Sequence, residues 1–221
     1  MIEPELRIAN QNIPIPEETI RVFCKKWNVR SFCFYGSIMR DDFRPDSDID
    51  VMIDFSPNAE VSLRNMSAMQ EELEALFSRK VDLADRTSVE QSENYIRRKS
   101  MLSGKPPVLR QMSYLLDMLI SARNIQKITG DSSAEILDRD EMVFHAISYN
   151  CRWLAVSAQR VDMQTRRHYP DIPWGILMKT CDTFETDFCR PDKELIKEIA
   201  WHTVPRLIPI LFAIIPPEDT I

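Results

Sequence analysis

Two short stretches of this sequence hold residue types that chemistry on phosphate esters requires. Tyr35-Gly36-Ser37-Ile38-Met39-Arg40 is followed, after ten residues counted from Ser37, by Asp48-Ile49-Asp50. Gly36 lets a triphosphate approach the backbone because no side chain stands in the way. Ser37 offers a hydroxyl and an amide N–H at the start of the next short helix, which is a cradle for phosphate. Asp48 and Asp50 are two apart, so on a strand both carboxylates project from one face, where hard oxygen ligands can hold and bridge divalent cations. Two Mg2+ ions are the expected guests, stabilising the charge that develops during in-line displacement at an α-phosphate. Asp82, between Val81 and Leu83, is expected on a neighbouring strand as third ligand or general base. Asp85 falls on the other face. Arg40 is a candidate phosphate contact, and Arg44 reads as a surface residue.

Either part alone is weak, because acid pairs are commonly solvated and Gly-Ser is an ordinary loop dipeptide. The order of the parts is the stronger signal, and it depends on the elements that must position them. Pro16-Glu17-Glu18 opens a helix with Ile20, Phe23 and Trp27 at helical spacing. Residues 29–35 and 47–55 alternate as strands, the first with Phe32 and Phe34 on one face, the second with Ile49, Val51, Ile53 and Phe55 opposite the two acids. Only one or two helical turns fit between them. Leu63, Met66, Leu73 and Phe77 mark an amphipathic helix, Lys80–Asp85 a third strand, and Thr87-x-x-Glu90 a capping box for a last helix.

Ser103-Gly104-Lys105-Pro106-Pro107 is the clearest linker and places a domain boundary at 105/106, separating residues 1–105 from 106–221. Beyond it strand-like alternation stops. Val108, Met112, Leu115, Leu119 and Ala122 form a helical stripe ending near Gly130; Met142, Ala146, Tyr149, Trp153 and Val156 form a second; Leu195, Ile199, Val204 and Leu207 form a third, bent or ended by Pro205 and Pro209. The fold class is therefore α+β, a small mixed sheet with helices followed by an all-α bundle.

With a net charge of −6, the chain lacks the broad basic footprint of a nucleic-acid binder, so sequence-specific DNA is not an expected partner. The start has no basic segment leading into an apolar stretch, and the longest apolar run, Ile208–Ile215, contains Pro209. The expectation is a cytoplasmic protein with no membrane partner. Cys24, Cys33, Cys151, Cys181 and Cys189 make an odd set without a Cys-x-x-Cys pair, which points to free thiols and not to a disulfide frame or zinc site.

Residues 20–105, through Tyr35-Gly36-Ser37, Ser47-Asp48-Ile49-Asp50-Val51 and Val81-Asp82-Leu83, resemble the minimal nucleotidyltransferase (MNT) family of the DNA polymerase β-like superfamily. The resemblance implies transfer of AMP from ATP with Mg2+, with Asp48, Asp50 and Asp82 as catalytic metal ligands and Gly36, Ser37 and Arg40 at the nucleotide. Asp41 stands where that family usually has glycine, an extra carboxylate that weakens nucleotide affinity more than chemistry.

Residues 110–215 resemble the HEPN family in its HepT-like branch, on Tyr114-Leu115-Leu116-Asp117-Met118-Leu119, Ala122-Arg123 with Ile125, and His168 through Trp174. Family members with ribonuclease activity carry an arginine, a histidine and often a tyrosine shortly after that tryptophan. Here the corresponding positions are Cys181, Thr186 and Phe188, so no acid–base pair remains, and the half is expected to be non-catalytic. The resemblance implies a toxin–antitoxin setting, a homodimer through this half, and a protein acceptor or separate HEPN toxin as partner. The competing expectation is a pseudo-enzyme that binds nucleotide or toxin without turnover.

Overall fold

Alternation of apolar side chains over 29–35 and 49–55 has a direct outcome. Strands β2 (Val29–Tyr35) and β3 (Ile49–Phe55) pair antiparallel, with Phe32 opposite Ile53 and Phe34 opposite Val51 on the core face. The computed structural model describes residues 3–8, 12–39, 43–59, 61–103, 110–186 and 191–220, with the backbone alone at 185 and 186. By its contacts the chain divides into two units, Met1–Ser92 with Arg97–Val108, and Glu93–Ile96 with Leu109–Ile221. The expected boundary at 105/106 lies outside the described residues.

In the first unit, β4 (Val81–Asp85) runs parallel to β3, and β1 (Glu5–Arg7) runs parallel to β2, giving a mixed sheet in the order β1-β2-β3-β4. The sequence reading missed β1, because three residues of mixed polarity carry no periodicity. Helices α1 (Glu17–Lys26) and α2 (Leu63–Phe77) bury Ile20, Phe23, Cys24, Met69 and Leu73 in one core with Phe32, Phe34, Ile49, Val51 and Ile53. Phe23, Phe32, Phe34 and Phe77 form a chain of edge-to-face contacts at 5.5–6.2 Å, the arrangement aromatic quadrupoles favour. Ser62 caps α2 by accepting from the Asn65 amide at 3.1 Å, and Ser78 ends it at φ 52°.

The expected capping box at Thr87 and Glu90 is corrected. Asp85 caps α3 (Arg86–Glu90), accepting from the amides of Thr87 and Ser88 at 3.3 and 2.9 Å, while Glu90 pairs with Arg86 at 2.8 Å. Asp85, the last residue of β4, stands directly before the helix and meets its free amides first, and Thr87 is already helical. A further helix, α4 (Tyr95–Ser103), follows.

Among its described residues the second unit has helices joined by turns and no strand. Helices α5 (Arg110–Thr129), α6 (Ile136–Arg139), α7 (Glu141–Arg160), α8 (Met163–His168), α9 (Trp174–Thr186), α10 (Lys193–Lys197) and α11 (Val204–Ile214) surround a core that includes Leu115, Leu119, Ile147, Leu154, Leu177, Ile199 and Leu207. Gly130 ends α5 at φ 48°, as its position in the sequence suggests.

The stripe read as the apolar face of α7 is the wrong one. Met142, Tyr149 and Trp153 are 82%, 61% and 41% exposed, and the buried face is Phe144, Ile147, Cys151, Leu154 and Ala158. Both faces of α7 carry apolar residues at helical spacing, so periodicity alone could not choose. Nor does the last helix end at its prolines. A π-helical turn, Glu198–Thr203, joins α10 to α11, and its wider winding brings Pro205 into the first turn of α11, where a missing N–H costs little. By length and a mean hydropathy of 1.5, Lys193–Thr220 is apolar enough to cross a membrane; its Leu195, Ile199, Val204, Leu207 and Leu211 are instead buried in this unit's core.

Among the described residues the cysteines are free thiols. Burial pushes the Cys24 thiol up to about 12 and raises that of Cys151 as well. At about pH 8, iodoacetamide followed by mass spectrometry is expected to leave both unlabelled in the native protein and to label both after denaturation. Because the unfolded thiols lose protons near about pH 8.5 while Cys24 keeps its own, folding stability falls as pH rises from there towards 12, readable in urea melts.

Candidate active site

Gly36 closes β2 at φ 70°, in the region that favours glycine. A Cβ at this position would lie 2.0 Å from Asp50 Oδ2 and 2.8 Å from its Cγ, so the bare backbone is what admits the carboxylate. The chain then makes one 3-10 turn, Gly36–Met39, held by the fully buried Ile38 and by the Asn12 amide donating to the Ile38 carbonyl at 2.6 Å. That turn aims the Ser37 N–H at Asp50 Oδ2, 3.3 Å away, and the Ser37 hydroxyl donates to the Asp48 carbonyl at 3.4 Å.

Register completes the arrangement. Tyr35 is the partner of Asp50 across the antiparallel ladder, and Asp50 is the partner of Asp82 across the parallel one. Tyr35, Asp50 and Asp82 therefore form a row on one face of the sheet, on strands spaced about 4.8 Å apart. Burial raises the Tyr35 hydroxyl well above its ordinary value; the carboxylates of Asp82 and then Asp50 push the same way, and Arg97 opposes them. Tyr35 is thus a neutral hydrogen-bonding group beside two acids. Asp54, on the same face, is engaged by Arg30 at 2.8 Å and stands apart from this chemistry.

Asp48 sits one residue ahead of β3 and is exposed, as is Asp82. Asp50 is half-buried against Gly36. Among the described residues no group of three His, Cys, Asp or Glu side chains is gathered so as to hold a metal ion. The structure brings Gly36, Ser37, Asp50 and Asp82 together by backbone placement. Asp50 is turned onto the Ser37 amide. In donor type and placement the residues still fit a divalent ion: hard oxygens on two paired strands, beside a cradle that a Cβ would fill. Arg40 and Asp41 lie outside the described residues. Arg44 is exposed and pairs with Asp46 at 3.3 Å, a surface contact as expected.

Two residues were missed from sequence. Arg79, in the turn after α2, donates to the carbonyls of Arg44, Pro45 and Ser47 at 3.1, 2.6 and 3.3 Å and stacks over Phe43 at 5.2 Å. It clamps the loop that delivers Asp48, and nothing in the sequence near Arg79 signals a partner more than thirty residues away. Arg97, on α4, acts on the Tyr35 hydroxyl and so belongs to the same neighbourhood. In the second unit, Cys181 is buried in α9, and Thr186 falls in the last turn of that helix with its side chain undescribed. Phe188 lies outside the described residues.

Nucleotide-transfer chemistry is what a Gly-Ser turn beside paired strand carboxylates defines, and comparison with known proteins agrees. The nucleotidyltransferase domain profile matches residues 16–105. A protein of Methanocaldococcus jannaschii, provisionally named a protein adenylyltransferase, is 32% identical over 69 residues, covering 31% of this chain and 69% of its own length. The chain belongs to the nucleotidyltransferase domain family. No solved structure matches it.

Gly36→Ala tests the cradle. A positive φ costs a non-glycine residue about 1–2 kcal/mol, and the methyl group must displace Asp50. The expected result is a lower melting temperature together with Mg-ATP affinity reduced about tenfold or more by calorimetry.

Proposed function

We propose that this chain is a metal-dependent nucleotidyltransferase that moves AMP from ATP to a hydroxyl of a protein. The row of Tyr35, Asp50 and Asp82 beside the Gly36–Ser37 turn carries the reading. Choice of AMP and of a protein acceptor is supported by the name of the archaeal relative and by the MNT resemblance. Asp48, Asp50 and Asp82 would hold Mg2+, which supplies neutralisation of the triphosphate charge. The Ser37 amide and hydroxyl orient the phosphates. Asp82, at the outer strand, accepts the proton of the attacking hydroxyl. The oxygen–phosphorus bond forms at the α-phosphate as the bond to the β-phosphate breaks, and pyrophosphate leaves with its electron pair.

The helical half fits a non-catalytic scaffold of the HEPN type in a toxin–antitoxin setting. Its buried Cys181, where an arginine would be needed, supports the absence of ribonuclease chemistry. The exposed Met142, Tyr149 and Trp153 stripe along α7 supports a homodimer, because a second copy offers the same stripe and an isologous contact would cover both. Trp153→Glu is expected to shift the sedimentation coefficient to that of a monomer, with the helical circular dichroism unchanged; an unchanged coefficient would remove this face from the interface.

A nucleotide- or toxin-binding module without turnover is the rival reading, favoured by Asp41 where the resembled family usually has glycine and by Cys181 and Thr186 where its ribonucleases carry arginine and histidine. Incubation with α-labelled ATP, Mg2+ and a lysate decides between them. Transfer predicts a labelled protein and released pyrophosphate, with the label reduced about a hundredfold or more in Asp48→Ala and Asp50→Ala of unchanged fold. Tight ATP binding with no pyrophosphate under any acceptor would establish the module instead.

A further inference from the structure

The sheet has an edge at each end, and the two are built differently. At β1, Glu5 and Arg7 are exposed and pair with each other at 2.9 Å, so charge guards that edge against a further strand. At the other end, Leu83, Ala84 and Asp85 of β4 line a cleft of about 610 Å3.

Which main-chain groups face that cleft follows from the parallel ladder. The Ile49 N–H donates to the Lys80 carbonyl at 2.9 Å, and Ile49 is the register partner of Val81. In a parallel pair a residue turns both of its main-chain groups to one side, and the next residue turns its own to the other. Lys80, Asp82 and Ala84 therefore face β3, while Val81, Leu83 and Asp85 turn their main-chain groups outward. The Val81 N–H is taken by the Glu74 carboxylate at 3.2 Å. Further along, the N–H and C=O of Leu83 and the N–H of Asp85 meet no protein partner among the described residues.

The two walls of the cleft differ. Leu83 joins the core shared with α2, and Val61, Leu63 and Met66 stand on that side. Ala84 joins Val89 of α3 and Met101 of α4, and α4 also brings Arg97 and Arg98. Val61 and Leu63 are 52% and 89% exposed, apolar side chains beside unpaired main chain. The Asp85 carboxylate is engaged by the amides of Thr87 and Ser88 and by the Ser88 hydroxyl. One wall is thus apolar and the other cationic.

We propose that the outer edge of β4 takes an extended peptide of a partner protein as a fifth strand, one whose residues alternate between apolar and acidic. Successive side chains of a strand point to opposite faces. The apolar ones cover Val61 and Leu63, the acidic ones meet Arg97 and Arg98, and the peptide backbone pairs with Leu83 and Asp85. Main-chain bonds hold the segment, and the two unlike walls select its sequence. Strand addition requires no nucleotide, so it is tested without one.

The test uses the full chain and three fluorescein-labelled hexapeptides, read by anisotropy. One alternates valine and glutamate, one alternates valine and lysine, and one has its valines in a block before its glutamates. The alternating acidic peptide is expected to bind about tenfold or more tightly than either of the others. Hydrogen exchange of the Leu83 amide, followed by NMR, is expected to slow by about tenfold or more at saturation. Leu63→Glu should weaken the acidic peptide about tenfold with unchanged circular dichroism, since an acid at the start of α2 is compatible with the fold. Equal binding of the three peptides, binding of none, or tight binding with Leu83 exchange unaltered would overturn the assignment. A sedimentation coefficient that falls as the acidic peptide is added would show a second copy of this chain on the edge, and would overturn a partner peptide as its occupant.

Discussion

The carboxylate of Asp50 rests against a backbone that has no side chain. That contact, between Asp50 and Gly36, fixes how the end of β2 meets the start of β3, and the site is assembled around it. With any other residue at 36, the methyl group and the carboxylate would claim the same space, and the backbone would resist φ 70° as well. Given the glycine, the Ser37 amide turns onto Asp50 and the antiparallel register sets Tyr35 beside it. The parallel register of β4 then carries Asp82 into the same row. One steric allowance thereby couples the Gly36–Ser37 turn to the acidic pair.

Support for this contact comes from the other face of the sheet. Phe32, Phe34, Val51 and Ile53 pack against α1 and α2, so a one-residue slip of β3 would expose the apolar set and bury the acids. The core thus defends the register on which the chemistry depends. Arg79 adds a second restraint from the far end of α2, holding the carbonyls of the loop that leads into Asp48. Asp48, Asp50 and Asp82 carry like charges, which oppose one another's approach. A cation held by Asp48, Asp50 and Asp82 would supply what the side chains cannot supply to one another.

The helical half shows the opposite balance. Its core is extensive, and a π turn precedes α11, which carries Pro205 in its first turn and Pro209 in its interior. What reads in the first half as chemistry reads in the second as packing, with Cys181 buried in α9. Among the described residues, the large apolar side chains this half leaves exposed include Met142, Tyr149 and Trp153 on one stripe of α7, with Met163 on α8 and Phe212 on α11.

Much of this was present in the chain before folding. Strict alternation set strands at 29–35 and near 49–55, helical spacing set α2 and α5, and the order of Gly36-Ser37, Asp48-x-Asp50 and Asp82 marked the place of the site, because these patterns are local and each residue's face follows from the geometry of its own element. The three-residue β1, the cap at Asp85 and α4 were hidden, since short elements carry too few side chains to show a period. Which face of α7 is buried, the clamp by Arg79 and the approach of Arg97 to Tyr35 were decided only by tertiary structure. Periodicity states which residues share a face; packing between distant segments decides what that face meets.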